Sequence, residues 1–131
     1  MKVLLINGSP NRLGCTYTAL HEVENTLHGH DIETEILYLG KQPVAGCIAC
    51  MKCAETGYCF REDQVREVQT RLDEFDAIVI GSPVYYSGVS GQLVSFLNRL
   101  FFASGNRMAG KLGAAVVSCR RGGASATFEQ L

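Results

Sequence analysis

Lys2-Val3-Leu4-Leu5-Ile6, closed by Asn7-Gly8-Ser9-Pro10 and followed by Asn11-Arg12-Leu13-Gly14-Cys15-Thr16, is the stretch that decides the fold. The apolar run is short, shows no polar alternation and ends in turn residues, so it reads as a strand buried on both faces. From Thr16 onward Leu20, Val23 and Leu27 recur at helical spacing, and Gly29 follows the last of them as a C-terminal cap. A strand buried on both faces and followed by a helix is the opening unit of a parallel sheet covered on both sides.

The rest of the chain repeats that unit. Ile32, Thr34, Ile36 and Tyr38 alternate with Glu33, Glu35, Leu37 and Leu39, the pattern of an edge strand. Val65, Val68, Leu72 and Phe75 mark an amphipathic helix that leads into the buried strand Ala77-Ile78-Val79-Ile80. Gly81 to Ser90 reads as a loop, and Leu93, Val94, Leu97, Leu100 and Phe101 carry a third helix up to Ser104-Gly105. Gly113 to Ser118 is a fourth strand, and Ala124 to Leu131 starts a fourth helix. The order βαβαβαβα implies an α/β doubly wound parallel sheet with right-handed crossovers, whose ligands sit beyond the C-terminal strand ends.

Composition narrows the function classes. At about 100 to 200 residues per domain, a chain of 131 residues is one domain, 1–131. Hydrophobic residues at 47% and charged residues at 19% suit a packed core, and a net charge of −1 offers no field for a nucleic-acid backbone. No apolar run approaches the ~18 residues of a membrane span, and Val3 to Ile6 is too short for a secretory signal, which points to the cytoplasm. Without such a signal, six cysteines read as thiols or metal ligands and not as a disulfide framework.

Three loops fall at C-terminal strand ends. The first, Asn7 to Thr16, meets a helix N-terminus, where unpaired N–H groups and the helix dipole favour an anion. Ser9 and Thr16 can donate hydroxyls to a phosphate there, and Arg12 a charge-assisted bond. The sequence contains neither a P-loop Gly-Lys-Ser/Thr nor a G-x-G-x-x-G, and a plain turn with Thr16 as N-cap fits equally well. In the second loop, Gly81-Ser82-Pro83-Val84-Tyr85-Tyr86-Ser87-Gly88, two tyrosines can cover a planar ring, or else pack back on the third helix. The third, Ser118-Cys119-Arg120-Arg121-Gly122-Gly123, is basic and glycine-rich; its arginines either face a ligand or are solvated.

Gly8-Ser9-Pro10 with Gly14-Cys15-Thr16, Gly81 through Gly88, and Gln92-Leu93 through Phe96 together resemble the flavodoxin-like NADPH-dependent FMN reductase family, of which the iron-sulfur flavoproteins are a branch. The resemblance covers essentially the whole chain. It implies a flavodoxin-like sheet of order 2-1-3-4-5 that binds FMN. By position, Ser9, Arg12, Cys15 and Thr16 would hold the phosphate, and Pro83, Val84, Tyr85, Tyr86, Ser87 and Gly88 would line the isoalloxazine. Ser118, Arg120 and Gly122 would stand at its pyrimidine edge, where a cation favours the reduced flavin. Two positions depart from the family pattern: Asn11 stands where Arg is usual and Cys15 where Asn is usual, which shifts phosphate binding toward Arg12.

Cys47, Cys50, Cys53 and Cys59 form C-x2-C-x2-C-x5-C, a spacing at which three thiolates of one loop close on a cubane face and a fourth arrives from downstream. The spacing resembles that of the iron-sulfur flavoproteins. A [4Fe-4S] cluster and free thiols fit it equally, zinc less well. Cys15 and Cys119 read as small semi-buried residues.

The implied activity is FMN-dependent NAD(P)H oxidation with electrons passed to a quinone, flavin or metal acceptor. The alternatives are an iron-sulfur flavoprotein that carries electrons between protein partners, and a binding module that uses the cysteine loop as a sensor. No side-chain acid or base is needed, so no catalytic dyad is named. The order 2-1-3-4-5 calls for a fifth strand that these residues do not supply. That implies a C-terminally incomplete domain, or a second protomer covering the fourth strand in a homodimer or larger homo-oligomer.

Overall fold

The computed structural model describes residues 1–131. Its order is β1 (Lys2–Asn7), α1 (Cys15–His28), β2 (Glu33–Tyr38), α2 (Lys52–Thr56), α3 (Gln64–Thr70), β3 (Ala77–Tyr85), β4 (Gly88–Val89), α4 (Gly91–Ser104), β5 (Leu112–Ser118) and α5 (Ala124–Gln130). β1 pairs in parallel with β2 and β3, and β3 pairs in parallel with β5. The four parallel strands therefore lie β2-β1-β3-β5, the flavodoxin-like arrangement, with β4 added antiparallel to the end of β3.

Alternation along β1 splits the core in two. Leu4 and Ile6, with Ile78 and Ile80 of β3, face Val65, Val68, Leu72, Leu93, Phe96, Leu97 and Leu100. Val3 and Leu5, with Ala77 and Val79, face Leu20 of α1. Each large aliphatic side chain sealed this way contributes about 1.5–3 kcal/mol, so β1 and β3, buried on both faces, anchor the sheet. The sheet interior then holds the C-terminal ends of β1, β3 and β5 side by side.

Four local expectations need correction. The Gly81–Ser90 loop is mostly strand: β3 runs on to Tyr85 and returns through β4. The pairing of Val84 with Val89 and Tyr85 with Gly88 supplies the ladder that sequence periodicity could not show. The helix marked by Val65 and Phe75 ends at Thr70, and a 3-10 turn over Leu72–Glu74 completes the apolar stripe. α2 lies inside the cysteine stretch, where the spacing predicts only loop; it is set off by the left-handed Met51 and Gly57. Thr16 is not the N-cap of α1; Gly14 holds that position, with no side-chain cap.

β2 and β5 are the two edges. On β5, Leu112, Gly113 and Ala114 are exposed, and Ile78, Ile80, Phe101, Met108 and Leu131 line an open apolar groove beside them. No helix is long and apolar enough to cross a membrane.

Candidate functional site

The β1–α1 loop is braced from within. Asn7, fully buried, accepts from Ser9 N at 3.0 Å and donates to Arg12 O at 3.2 Å. Ser9 Oγ accepts from Asn11 N at 3.1 Å, which leaves its own proton free to donate. Gly14 N donates to Asn11 O at 3.2 Å, while the N–H groups of Arg12, Leu13, Cys15, Thr16 and Tyr17 have no acceptor in the protein. The first turn of α1 carries no acid to occupy them. Free amides at the positive end of a helix of 14 residues can accept an anion.

The other phosphate candidates divide. Thr16 is sealed beneath the loop, and its Oγ1 lies 2.8 Å from Ser118 Oγ at the end of β5, so the first and third loops are joined by one hydrogen bond. One of those two hydroxyls keeps a proton to give elsewhere. Arg12 is exposed and its guanidinium stands 5.9 Å from the Tyr38 ring centroid, against the end of β2. Tyr38 in turn donates to Pro10 O at 2.8 Å. Cys15 and Cys119 are exposed, not semi-buried as expected: one opens α1 at the loop and the other follows β5.

The second loop is a two-residue hairpin. Tyr86 and Ser87 both have positive φ, 50° and 61°, the backbone of a type I′ turn. Left-handed backbone costs a non-glycine residue about 1–2 kcal/mol, and such strain collects at ligand clamps. Tyr86 is completely exposed, which rules out packing of that ring on the helix, whereas Tyr85 is half covered and Pro83 and Val84 are half-buried. Ser90 Oγ donates to Gly8 O at 2.7 Å and Gly8 N to Gly81 O at 2.9 Å, tying the hairpin base to the anion loop. From the other side Gln130 of α5 accepts from Val89 N at 3.0 Å.

Ser118 lies beside Pro83 in the β3–β5 register. Beyond it Arg120, Arg121 and Gly122 are exposed. Gly123, at φ +88°, comes so close to Ser87 that a Cβ would stand 2.8 Å from its Cα. The three loops thus meet at the C-terminal end of the strands: free amides and hydroxyls, a tyrosine-bearing hairpin, and a basic turn.

The cysteines form a second centre. Cys47, Cys50, Cys53 and Cys59 all line one cavity, together with Ile48, Phe60, Arg99 and Phe102. All six cysteines are free thiols. No three His, Cys, Asp or Glu side chains are gathered closely enough to share a single ion. Four thiols around one cavity are the ligand number of a four-iron cluster, one thiolate for each iron. Ala49 and Met51, between the cysteines, hold positive φ of 51° and 60°.

At the back of this cavity Arg99 is buried and pairs bidentately with Asp63, Nη1 to Oδ2 at 2.6 Å and Nη2 to Oδ1 at 2.9 Å. Burial alone would lower the guanidinium, but hydrogen bonds to Asp63 and Cys59 outweigh it and hold the group above its ordinary value. Sequence reasoning missed Asn7, Ser90, Gly123, Gln130 and Arg99. Of these only Arg99 left a clear signal, as the one charged residue of the 14-residue α4.

The family model described as NADPH-dependent FMN reductase matches residues 1–131. An iron-sulfur flavoprotein of Methanocaldococcus jannaschii is 37% identical over 136 residues, covering 100% of this chain and 69% of its own length. Two from Archaeoglobus fulgidus are 29% and 35% identical, over 89% and 95% of this chain and 54% and 63% of theirs. The chain thus spans 54% to 69% of the length of these curated relatives. Among solved structures, the NAD(P)H:quinone oxidoreductase from Methanothermobacter marburgensis superposes with a TM-score of 0.68 at 17% identity, over 91% of this chain and 63% of that one. An FMN-dependent NADH-azoreductase from Bacillus anthracis, solved with FMN, gives 0.64 at 14% identity, over 91% and 69%. At such identities the two structures establish the shared fold.

Proposed function

The chain belongs to the NADPH-dependent FMN reductase family, and from that premise we propose that it binds FMN where the three loops meet and serves an NAD(P)H-dependent oxidoreductase. The observation that carries this is the set of free N–H groups of Arg12, Leu13, Cys15, Thr16 and Tyr17, set beside a strained, tyrosine-bearing hairpin at the same end of the sheet. When bound, FMN supplies the redox chemistry, accepting a hydride from NAD(P)H and passing electrons to a quinone, flavin, metal or redox protein.

The chain's residues bind and orient. The free amides, Ser9 and Arg12 hold the phosphate, with Cys15 as a neighbour and the buried Thr16 bracing the loop from beneath through Ser118. Pro83, Val84, Tyr85, Tyr86, Ser87 and Gly88 cover the ring, and Ser118, Arg120 and Gly122 stand at its edge. The Ser90–Gly8 and Thr16–Ser118 bonds keep the loops in register, so little ordering is required on binding. The test is anaerobic mixing of FMN-loaded protein with NADPH or NADH. Bleaching of the flavin band is expected, and an unreduced flavin would refute an NAD(P)H-linked role.

The cysteine cavity favours a second component of the same reading. Cys47, Cys50, Cys53 and Cys59 would hold a [4Fe-4S] group, making the protein an electron carrier between a flavin and a partner. Fast FMN reduction with no bound iron or sulfide would favour the simple reductase.

A further inference from the structure

Arg99 does more than fill the back of the cysteine cavity. A buried guanidinium is tolerated only when paired and fully hydrogen-bonded. Here Asp63 takes two donors, Ala45 O takes one at 3.2 Å, and the remaining contacts go to sulfur: Nε to Cys59 Sγ at 3.3 Å and Nη2 to the same atom at 3.2 Å. Two N–H groups aimed at one sulfur suit a sulfur that carries negative charge.

Cys59 is also held through its backbone. Its N–H donates to Gln69 Oε1 at 3.0 Å, its carbonyl accepts from Arg66 Nη1 at 3.2 Å, and Gln69 Nε2 donates to Arg99 O at 3.3 Å, closing the ring. The other three cysteines have nothing comparable. Cys47 Sγ accepts only from Ala49 N, at 3.4 Å. Cys47 and Cys50 are exposed, on a segment without regular structure that precedes α2.

We infer that Arg99 is a positioning residue for the cysteine site: it makes Cys59 the fixed ligand among four and, through its two hydrogen bonds to Sγ, sets the reduction potential of the group they bind. The inference rests on the iron-sulfur reading of that cavity. Donors and positive charge at a ligand sulfur stabilise the more negative, reduced state and so raise the potential. Asp63 moderates the effect by neutralising part of the Arg99 charge.

The test uses the full chain, reconstituted anaerobically with ferrous iron and sulfide. Iron and sulfide are assayed and the midpoint potential is measured by spectroscopic titration, for wild type, Arg99→Lys and Asp63→Asn. A single ammonium cannot reproduce the fork that gives Asp63 two bonds and Cys59 Sγ two more, so Arg99→Lys should lower the midpoint. Asp63→Asn keeps an N-cap for α3 and leaves Arg99 on the sulfur with its charge unmasked, so it should raise the midpoint. Opposite shifts support the inference, because a merely structural role would not move the potential in two directions. Should Arg99→Lys fail to fold, Asp63→Asn decides alone. Midpoints that stay at the wild-type value or move together, at wild-type iron content, overturn the role of Arg99 and leave the iron-sulfur reading standing. Absence of iron and sulfide from the wild type overturns both.

Discussion

Gly123→Ala perturbs the hairpin from behind without removing a polar group. Gly123 has φ +88°, and an added Cβ would lie 2.8 Å from Ser87 Cα, 3.0 Å from Ser87 Oγ and 3.0 Å from Val84 Cγ1. The left-handed backbone costs an alanine about 1–2 kcal/mol. Overlap with Ser87 backbone adds about 1–3 kcal/mol, as overpacking generally does. Gly110→Ala is the control: φ is +80°, yet no atom lies within 4 Å of the new Cβ, so only the backbone cost applies. The expected loss is thus about 2–5 kcal/mol at Gly123 and about 1–2 kcal/mol at Gly110. Urea unfolding followed by circular dichroism measures both, and FMN titration with fluorescence detection measures affinity. If Gly123→Ala shifts the Tyr86–Ser87 turn to relieve the overlap, part of the cost moves from stability to FMN binding. Equal stability losses for the two variants, with FMN affinity unchanged in both, would refute the claim that Gly123 backs the hairpin.

Three further outcomes are expected. Thr16→Ala breaks the bond to Ser118 and should weaken FMN by about 1–2 kcal/mol, roughly tenfold, while Arg12→Ala reports the charge contribution; isothermal titration of both variants reads the two effects, and unchanged affinity in both would place the phosphate elsewhere. Hydrogen bonds from Arg71 hold the carboxyls of Glu35 and Glu74 below their ordinary 4.5, and Arg107 lowers Asp73 likewise. Lowered carboxyls contribute stability that is complete above the unfolded value and fades as pH falls through the folded one. Urea midpoints should therefore drop on acidification below about 4.5, and Glu35→Gln should flatten that slope. Cys50→Ala should abolish iron and sulfide binding and leave FMN binding intact, as elemental analysis with flavin titration would show.

Much of the framework could be read from local pattern. The unbroken apolar runs at Val3–Ile6 and Ala77–Ile80 had only one accommodation, the sheet interior, and α4 followed from its apolar spacing. What escaped was long-range or contrary to propensity. Tyr86 and Ser87 are poor choices for left-handed backbone, so nothing in their identities announced a type I′ turn. The bond from Thr16 to Ser118 joins residues 102 positions apart, and Arg99 reaches Cys59 and Asp63 from 40 and 36 positions away. The parallel register of β1, β3 and β5 brings Thr16 to Ser118, and the packing of α3 on α4 brings Arg99 to its partners. The spacing C-x2-C-x2-C-x5-C marked four cysteines; that they share one cavity with a paired arginine is a product of the packing of α3 on α4.

The most direct test of the central claim is the absorption spectrum of the anaerobically purified chain, combined with flavin, iron and sulfide analysis on the same sample. One FMN per chain is expected, with flavin bands overlaid by a broad shoulder in the visible region and with iron and acid-labile sulfide in equal amounts. A colourless protein that neither carries FMN nor takes it up on titration would contradict the account.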